Sequence, residues 1–100
     1  MSEKPKLLKI NYPSPLEEVD PENDNIDVQV HFEDGSIHSF LVATPNNIYW
    51  CMDNEGIDYF FGTPPVFVRR LTHDCIYEAL IAVATADDGK WISIYGTLQA

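Results

Sequence analysis

The segment IDVQVHF, residues 26–32, alternates apolar and polar side chains without a break. Ile26, Val28, Val30 and Phe32 fall on one side and Asp27, Gln29 and His31 on the other, the signature of a half-buried strand. Asp34-Gly35 follows, a strong short-range hairpin signal. SIHSFLVAT, residues 36–44, then returns as the partner strand. A two-residue turn would pair Glu33 with Ser36, Phe32 with Ile37, His31 with His38, Val30 with Ser39 and Val28 with Leu41. This register puts Val28, Val30, Phe32, Ile37 and Leu41 on the inner face. It leaves Phe40 and Val42 outside, beside His31, His38, Gln29 and Asp27. Apolar side chains there ask for cover, from this chain or from a partner.

The flanking pattern extends the hairpin in both directions. LLKINYP, residues 7–13, is a short apolar run closed by Pro13 and reads as an edge strand. Residues 13–25 form an acidic, proline-containing loop. Thr44 and Pro45 mark a helix start, as N-cap and first-turn proline. That helix runs through NNIYWCMD and stops near Gly56. DYFFG, residues 58–62, and VFVRR, residues 66–70, read as strands around a Gly-Thr-Pro-Pro turn. Thr72 caps a second helix, HDCIYEALIAVATA, with Asp74 in the first turn, where the helix dipole favours an anion. Ile76, Leu80 and Val83 make its core stripe, and Tyr77, Ile81 and Ala84 a second apolar side. Asp87-Asp88-Gly89 ends it. KWISIYG, residues 90–96, alternates as a last strand, although a stretch this brief also suits a short helix or a loop.

The expected fold is therefore α+β, in the order β-β-β-α-β-β-α-β. It is a mostly antiparallel sheet of five to six strands with two helices on one face. One hundred residues make a single domain, with residues 1–6 expected to be flexible. No apolar window reaches the ~20 residues of a membrane span, and MSEKPKLLKI lacks the apolar core of a secretory signal. Two cysteines in such a chain are expected to stay reduced, and the expected location is cytoplasmic.

Charge sharpens this picture. Sixteen acids against six bases give a net charge of −10. Lys4, Lys6 and Lys9 lie at the start, and the next base is Arg69. Residues 10 to 68 hold eleven acids and no Lys or Arg. Such a field repels nucleic acid and anionic membranes and attracts basic proteins. It also serves plain solubility. EEVDPENDNID, residues 17–27, is the densest stretch.

Each candidate chemistry has a structural counterpart. Asp20, Glu22 and Asp24 have the spacing of the first EF-hand ligands. Asn25 stands where the glycine is needed, however, and His31 where the closing acid is needed. His31 and His38, opposed across the hairpin, could share a metal with Glu33, or could simply be an exposed pair. Cys75 sits at a helix start near His73, a thiol and a base. Their spacing of two makes the side chains diverge, and Cys75 equally suits the core. Cys51, among Ile48, Trp50 and Met52, reads as packing. No cofactor motif is present, and Arg69-Arg70 is expected to pair with the protein's own acids.

DVQVHFEDG (27–35), ATPNNI (43–48) and VRRLTHDCI (68–76) together resemble small acidic α+β bacterial proteins. These share a strand, an acidic-Gly turn, a strand, a Thr-x-x-Asn-Ile helix start and a Val-Arg-x-Leu-Thr helix cap. In size, charge and style such proteins resemble the immunity proteins of polymorphic or contact-dependent toxin systems. The resemblance implies a non-enzymatic module that occludes a basic toxin or nuclease site. The residues expected to meet such a partner are Glu17, Glu18, Asp20, Glu22, Asp24 and Asp27, with Asp53, Glu55 and Asp58 as a second patch. Tyr12, Tyr49 or Trp50 would be the anchors. The alternatives are a small metal or thiol enzyme built on His31, His38 and Glu33 or on Cys75 and His73, and a homodimer joined through Phe40 and Val42.

Overall fold

A computed structural model describes residues 6–62 and 64–99. The expectation of flexibility at residues 1–6 falls, for residues 1–5, outside them. The fold is α+β, with a mostly antiparallel five-stranded sheet. Its elements are β1 (Leu7–Asn11), β2 (Asn25–Phe32), β3 (Ile37–Ala43), α1 (Pro45–Glu55), β4 (Val66–Phe67), α2 (His73–Thr85), α3 (Lys90–Tyr95) and β5 (Gly96–Leu98). β1, β2 and β3 form an antiparallel meander. The far edge of β3 is shared: β5 pairs antiparallel with residues 38–40, and β4 pairs parallel with residues 42–43.

The β2–β3 register differs from the expected one by a single residue. Val28 pairs with Phe40, Val30 with His38, and His31 with Ile37. The connection is not a two-residue turn. Gly35 donates its N–H to the Phe32 carbonyl at 3.0 Å, and Phe32 donates to Ser36 at 2.9 Å, so Glu33, Asp34 and Gly35 form the loop. A two-residue type I′ turn needs positive φ at Asp34 as well as at Gly35. Only Gly35 has it, at +86°. The Asp34 carboxylate instead accepts from the Ser36 N–H at 2.9 Å and the Ser36 hydroxyl at 2.6 Å, which secures the longer loop.

A one-residue shift changes which β3 side chains face the core. Phe40 and Val42 enter it with Val28, Val30 and Phe32, and Leu41 and Ile37 are only partly covered. The homodimer through exposed Phe40 and Val42 therefore has no surface to use. The core continues through Val66, Val68 and Leu71 to Ile76, Leu80 and Ala84 of α2 and Ile92 of α3. Tyr77, expected on a second buried side of α2, is exposed.

Two strand expectations fail for separate reasons. DYFFG joins no strand of the sheet; the β3 edge is shared by β4 and β5, and DYFFG runs as an exposed irregular segment. KWISIY is helical. Asp87, Asp88 and Gly89 all adopt left-handed φ of 48°, 57° and 80°. That turn starts a new helix, in which the Trp91 indole donates to Asp87 at 2.6 Å and Trp91 meets Tyr95 one turn on. The last strand starts only at Gly96. A Cβ there would lie 2.7 Å from the Phe40 ring and from the Ile92 carbonyl, so the α3–β5 junction needs glycine.

The helix signals fared better. Thr72 accepts from the Cys75 N–H at 3.2 Å, the expected cap. α1 ends at Gly56 (φ 70°) with paired Gly56-to-Asp53 and Ile57-to-Met52 hydrogen bonds, a Schellman ending. Thr44 precedes α1 as expected, but its hydroxyl caps nothing and is buried with no hydrogen-bond partner. No helix among the described residues is long and apolar enough to cross a membrane.

The register makes a direct prediction. Phe40→Ala should cost about 3–5 kcal/mol and Leu41→Ala well under half of that, measured by urea denaturation. The reverse order would support the two-residue turn.

Candidate functional site

Acidic residues 17–27 fall into two groups by what their carboxylates do. Glu17 and Glu18 project from a short 3-10 turn, Leu16–Glu18, and are exposed. Asp20 and Asp24 are occupied by the loop itself. Asp20 accepts from the Glu22 N–H at 3.0 Å, and Asp24 accepts from the N–H groups of Asp20 at 3.2 Å and Asn25 at 2.8 Å. Short polar side chains bonding nearby backbone in this way build turns without regular structure. The spacing that suggested a calcium loop is thus turn chemistry. Asp27 is exposed on the outer sheet face, in a shallow concavity with Pro13, Gln29 and Ser39.

The loop is also tied to the rest of the fold. Pro21 accepts from the Leu71 N–H at 2.8 Å, and Asp24 accepts from the Thr44 N–H at 3.2 Å through its carbonyl. The central tie is Asn47, a buried polar side chain in the first turn of α1, only 5% exposed. Its carbonyl accepts from the Asn25 amide at 2.6 Å, and its amide donates to Asn23 at 3.2 Å. Cys51, one turn on, points its thiol at the same Asn47 oxygen at 3.8 Å. Sequence reasoning missed this cluster. The available signal was asparagine crowded into two segments, NDN (23–25) and PNN (45–47), beside a helix start. Glu22 meets Arg70 at 3.9 Å, so of the two arginines expected to pair with the chain's own acids, Arg70 does and Arg69 does not among the described residues. The Glu22–Arg70 contact is the one ion pair among the described residues.

The second patch, Asp53, Glu55 and Asp58, is exposed at the end of α1 and just beyond it. No base shares that last turn. The helix C-terminus carries partial negative charge, so Asp53 and Glu55 stand where the macrodipole disfavours them. Beside them Tyr49 and Trp50 are exposed, as the anchor role requires. Tyr59, Phe60 and Phe61, expected within a strand, are exposed too. Tyr12 is different: it is half-buried, with its ring edge-on to His73 at 4.8 Å. Burial raises its phenol pKa.

The proposed histidine site does not assemble. With the observed register His31 and His38 lie on opposite faces of the sheet. His31 points outward and meets the Asn11 amide at 2.9 Å. His38 points inward between Phe32 and Phe40, with ring centroids at 5.4 and 6.4 Å. Glu33 is in the hairpin loop. Among the described residues no group of three or more His, Cys, Asp or Glu side chains is placed to hold a metal. Cys75 is half-buried against the core, and His73 faces Tyr12. Both cysteines are free.

Two predictions follow from these contacts. Asn47→Ala removes the shared partner of Asn23 and Asn25 and should destabilise the protein by about 1–3 kcal/mol. Hydrogen exchange should speed up first in residues 20–25. His38 supplies a pH dependence. Burial against Phe32 and Phe40 pushes its pKa below the ordinary 6.5, only partly opposed by Asp34. The folded state therefore favours neutral His38. Its stability contribution is complete above the unfolded value and is lost as pH falls through the folded one. The urea midpoint should drop on acidification from about pH 7 to pH 5, and His38→Gln should flatten that drop.

Comparison with known proteins finds no match to a family model, to a curated protein or to a solved structure.

Proposed function

We propose that this protein is a non-enzymatic, acidic protein-binding module that docks on a basic protein and blocks it, in the manner of an immunity-type inhibitor of a toxin or nuclease. The observation that carries this reading is uncompensated surface charge. Of the nine carboxylates assigned to partner binding, eight are exposed, Asp24 alone being half-buried. Among the described residues only Glu22 of these nine has an ion-pair partner. Carboxylates on a rigid scaffold imitate phosphate groups, raise the rate of encounter with a cationic cleft and fix the register of docking.

The mechanism is occlusion with electrostatic steering. Association is fast at low ionic strength and slows as salt screens the field over a Debye length of about 8–10 Å. Affinity comes from a few desolvated anchors rather than from the charges at the rim.

The test is capture from a lysate of the source cell at low ionic strength. The expected catch is a basic protein, released by salt, whose hydrolytic or toxic activity falls when this protein is added back. A variant with Glu17, Glu18, Asp27, Asp53, Glu55 and Asp58 changed to amides should lose that capture. These side chains hold no turn of the loop together, so the fold should survive. Retention unchanged by salt and by neutralisation would sink the electrostatic reading.

A further inference from the structure

We infer that the docking surface is the lobe formed by α1 and residues 57–62, and that it takes a cationic protein surface whose Lys and Arg side chains lie among exposed aromatics. This rests on the reading of the protein as an acidic binding module and assigns that module its contact face.

The lobe combines two properties found together nowhere else on the described surface. Its aromatics are open to solvent: Phe61 is 84% exposed, Tyr49 67% and Trp50 53%. Tyr59 and Phe61 stack at 6.2 Å with their planes 20° apart, and Trp50 and Phe60 wall a groove with Cys51, Asn54 and Glu55. Isolated exposed apolar residues are ordinary, but a rimmed cluster of this kind marks an interaction surface. Aromatics are also the side chains that dominate binding energy when buried.

The second property is charge, and it selects the occupant. Glu55 lines the groove with Trp50 and Phe60, Asp53 and Asp58 are exposed in the same segment, and no Lys or Arg occurs between residues 10 and 68. Two of these acids sit at the C-terminal end of α1 with no basic neighbour in that turn, where a cation from outside relieves an unfavourable arrangement. Guanidinium and ammonium groups gain twice here, from the carboxylates and from the faces of Trp50 and Tyr59. A second copy of this chain brings another −10 and a like-charged lobe, and an anionic membrane is repelled in the same way. The 17–27 loop offers no comparable anchors, and two of its carboxylates are spent on its own backbone.

The test uses the full chain and a synthetic peptide of alternating arginine and leucine, followed by intrinsic fluorescence in a Trp91→Phe background that leaves Trp50 as reporter. An arginine–serine peptide and a glutamate–leucine peptide are the controls. Two double variants remove the same charge from different places: Asp53→Asn with Glu55→Gln in the lobe, and Glu17→Gln with Glu18→Gln in the loop. A third, Trp50→Phe with Phe61→Ser, removes anchors at exposed positions and is read by anisotropy of labelled peptide. The lobe and anchor variants should each weaken binding of the arginine–leucine peptide about tenfold or more, and the loop variant less than about threefold. Equal losses from lobe and loop variants would overturn the lobe as docking face and leave the acidic-module reading intact. Salt-insensitive binding that neither charge variant changes would overturn both. Equal binding of the glutamate–leucine peptide, or light scattering that shows a dimer abolished by Phe61→Ser, would also overturn the proposed occupant.

Discussion

The hydrogen bonds that close the Glu33–Gly35 loop govern which side chains of β3 reach the core. With three residues in the loop, Phe40 and Val42 face inward. With two, Ile37 and Leu41 would take their place. The rest of the structure is built on the first arrangement. β3 is paired on both sides, so its inward side chains lie at the centre of the sheet and meet α2 and α3. The Phe40 ring lies so close to Gly96 that even a Cβ there would clash, which fixes how α3 hands over to β5. Glycine at position 35, with φ of +86°, and the Asp34 carboxylate on Ser36 select the loop. The same choice removes the histidine pair, because the residues opposite one another across the ladder are no longer His31 and His38.

A second constraint acts at the other end of the hairpin. Asn47 is buried, and a buried amide must find partners for both its oxygen and its nitrogen. It finds them in Asn25 and Asn23, so the start of α1 is bound to the acidic loop rather than to the helices over the sheet. α1 contributes only Asn47 to the buried residues, and its remaining surface carries Tyr49, Trp50, Asp53 and Glu55 outward. The polar tie at its base anchors a helix that otherwise stands clear of the core.

Much of this was legible in the sequence. The alternation from Ile26 to Phe32, the Thr72 cap, the Gly56 stop and the α+β class all follow from local patterns whose physics is local. What was not legible depends on longer range. Asp34-Gly35 suits two loop lengths, and only the burial of Phe40 and Val42 against α2 and α3 distinguishes them. KWISIY is too short for its apolar spacing to separate a period of 2 from one of 3.6. DYFFG has strong strand propensity, but a strand also needs a partner strand within reach, and that follows from topology. In the site, the charges of residues 17–27 were visible while their duties were not. Nothing in a string of acids says which carboxylates will bond their own backbone.

That last distinction separates negative charge as a bulk property from negative charge as a binding device. Net charge fixes the sign of the partners a protein meets, and every exposed carboxylate contributes to that field about equally at a distance. At contact they are not equivalent. Asp20 and Asp24 already accept hydrogen bonds that hold a turn, so using them for a partner would cost the turn. Glu17 and Glu18 have no partner among the described residues and no exposed aromatic cluster beside them to exclude water, and an ion pair left in water is worth at most about 1 kcal/mol. Asp53 and Glu55 oppose their own helix dipole and adjoin side chains that can be buried. The same charges gain most when a cationic surface closes over that lobe, because desolvation by the aromatics strengthens the attraction just where the fold alone leaves it unsatisfied.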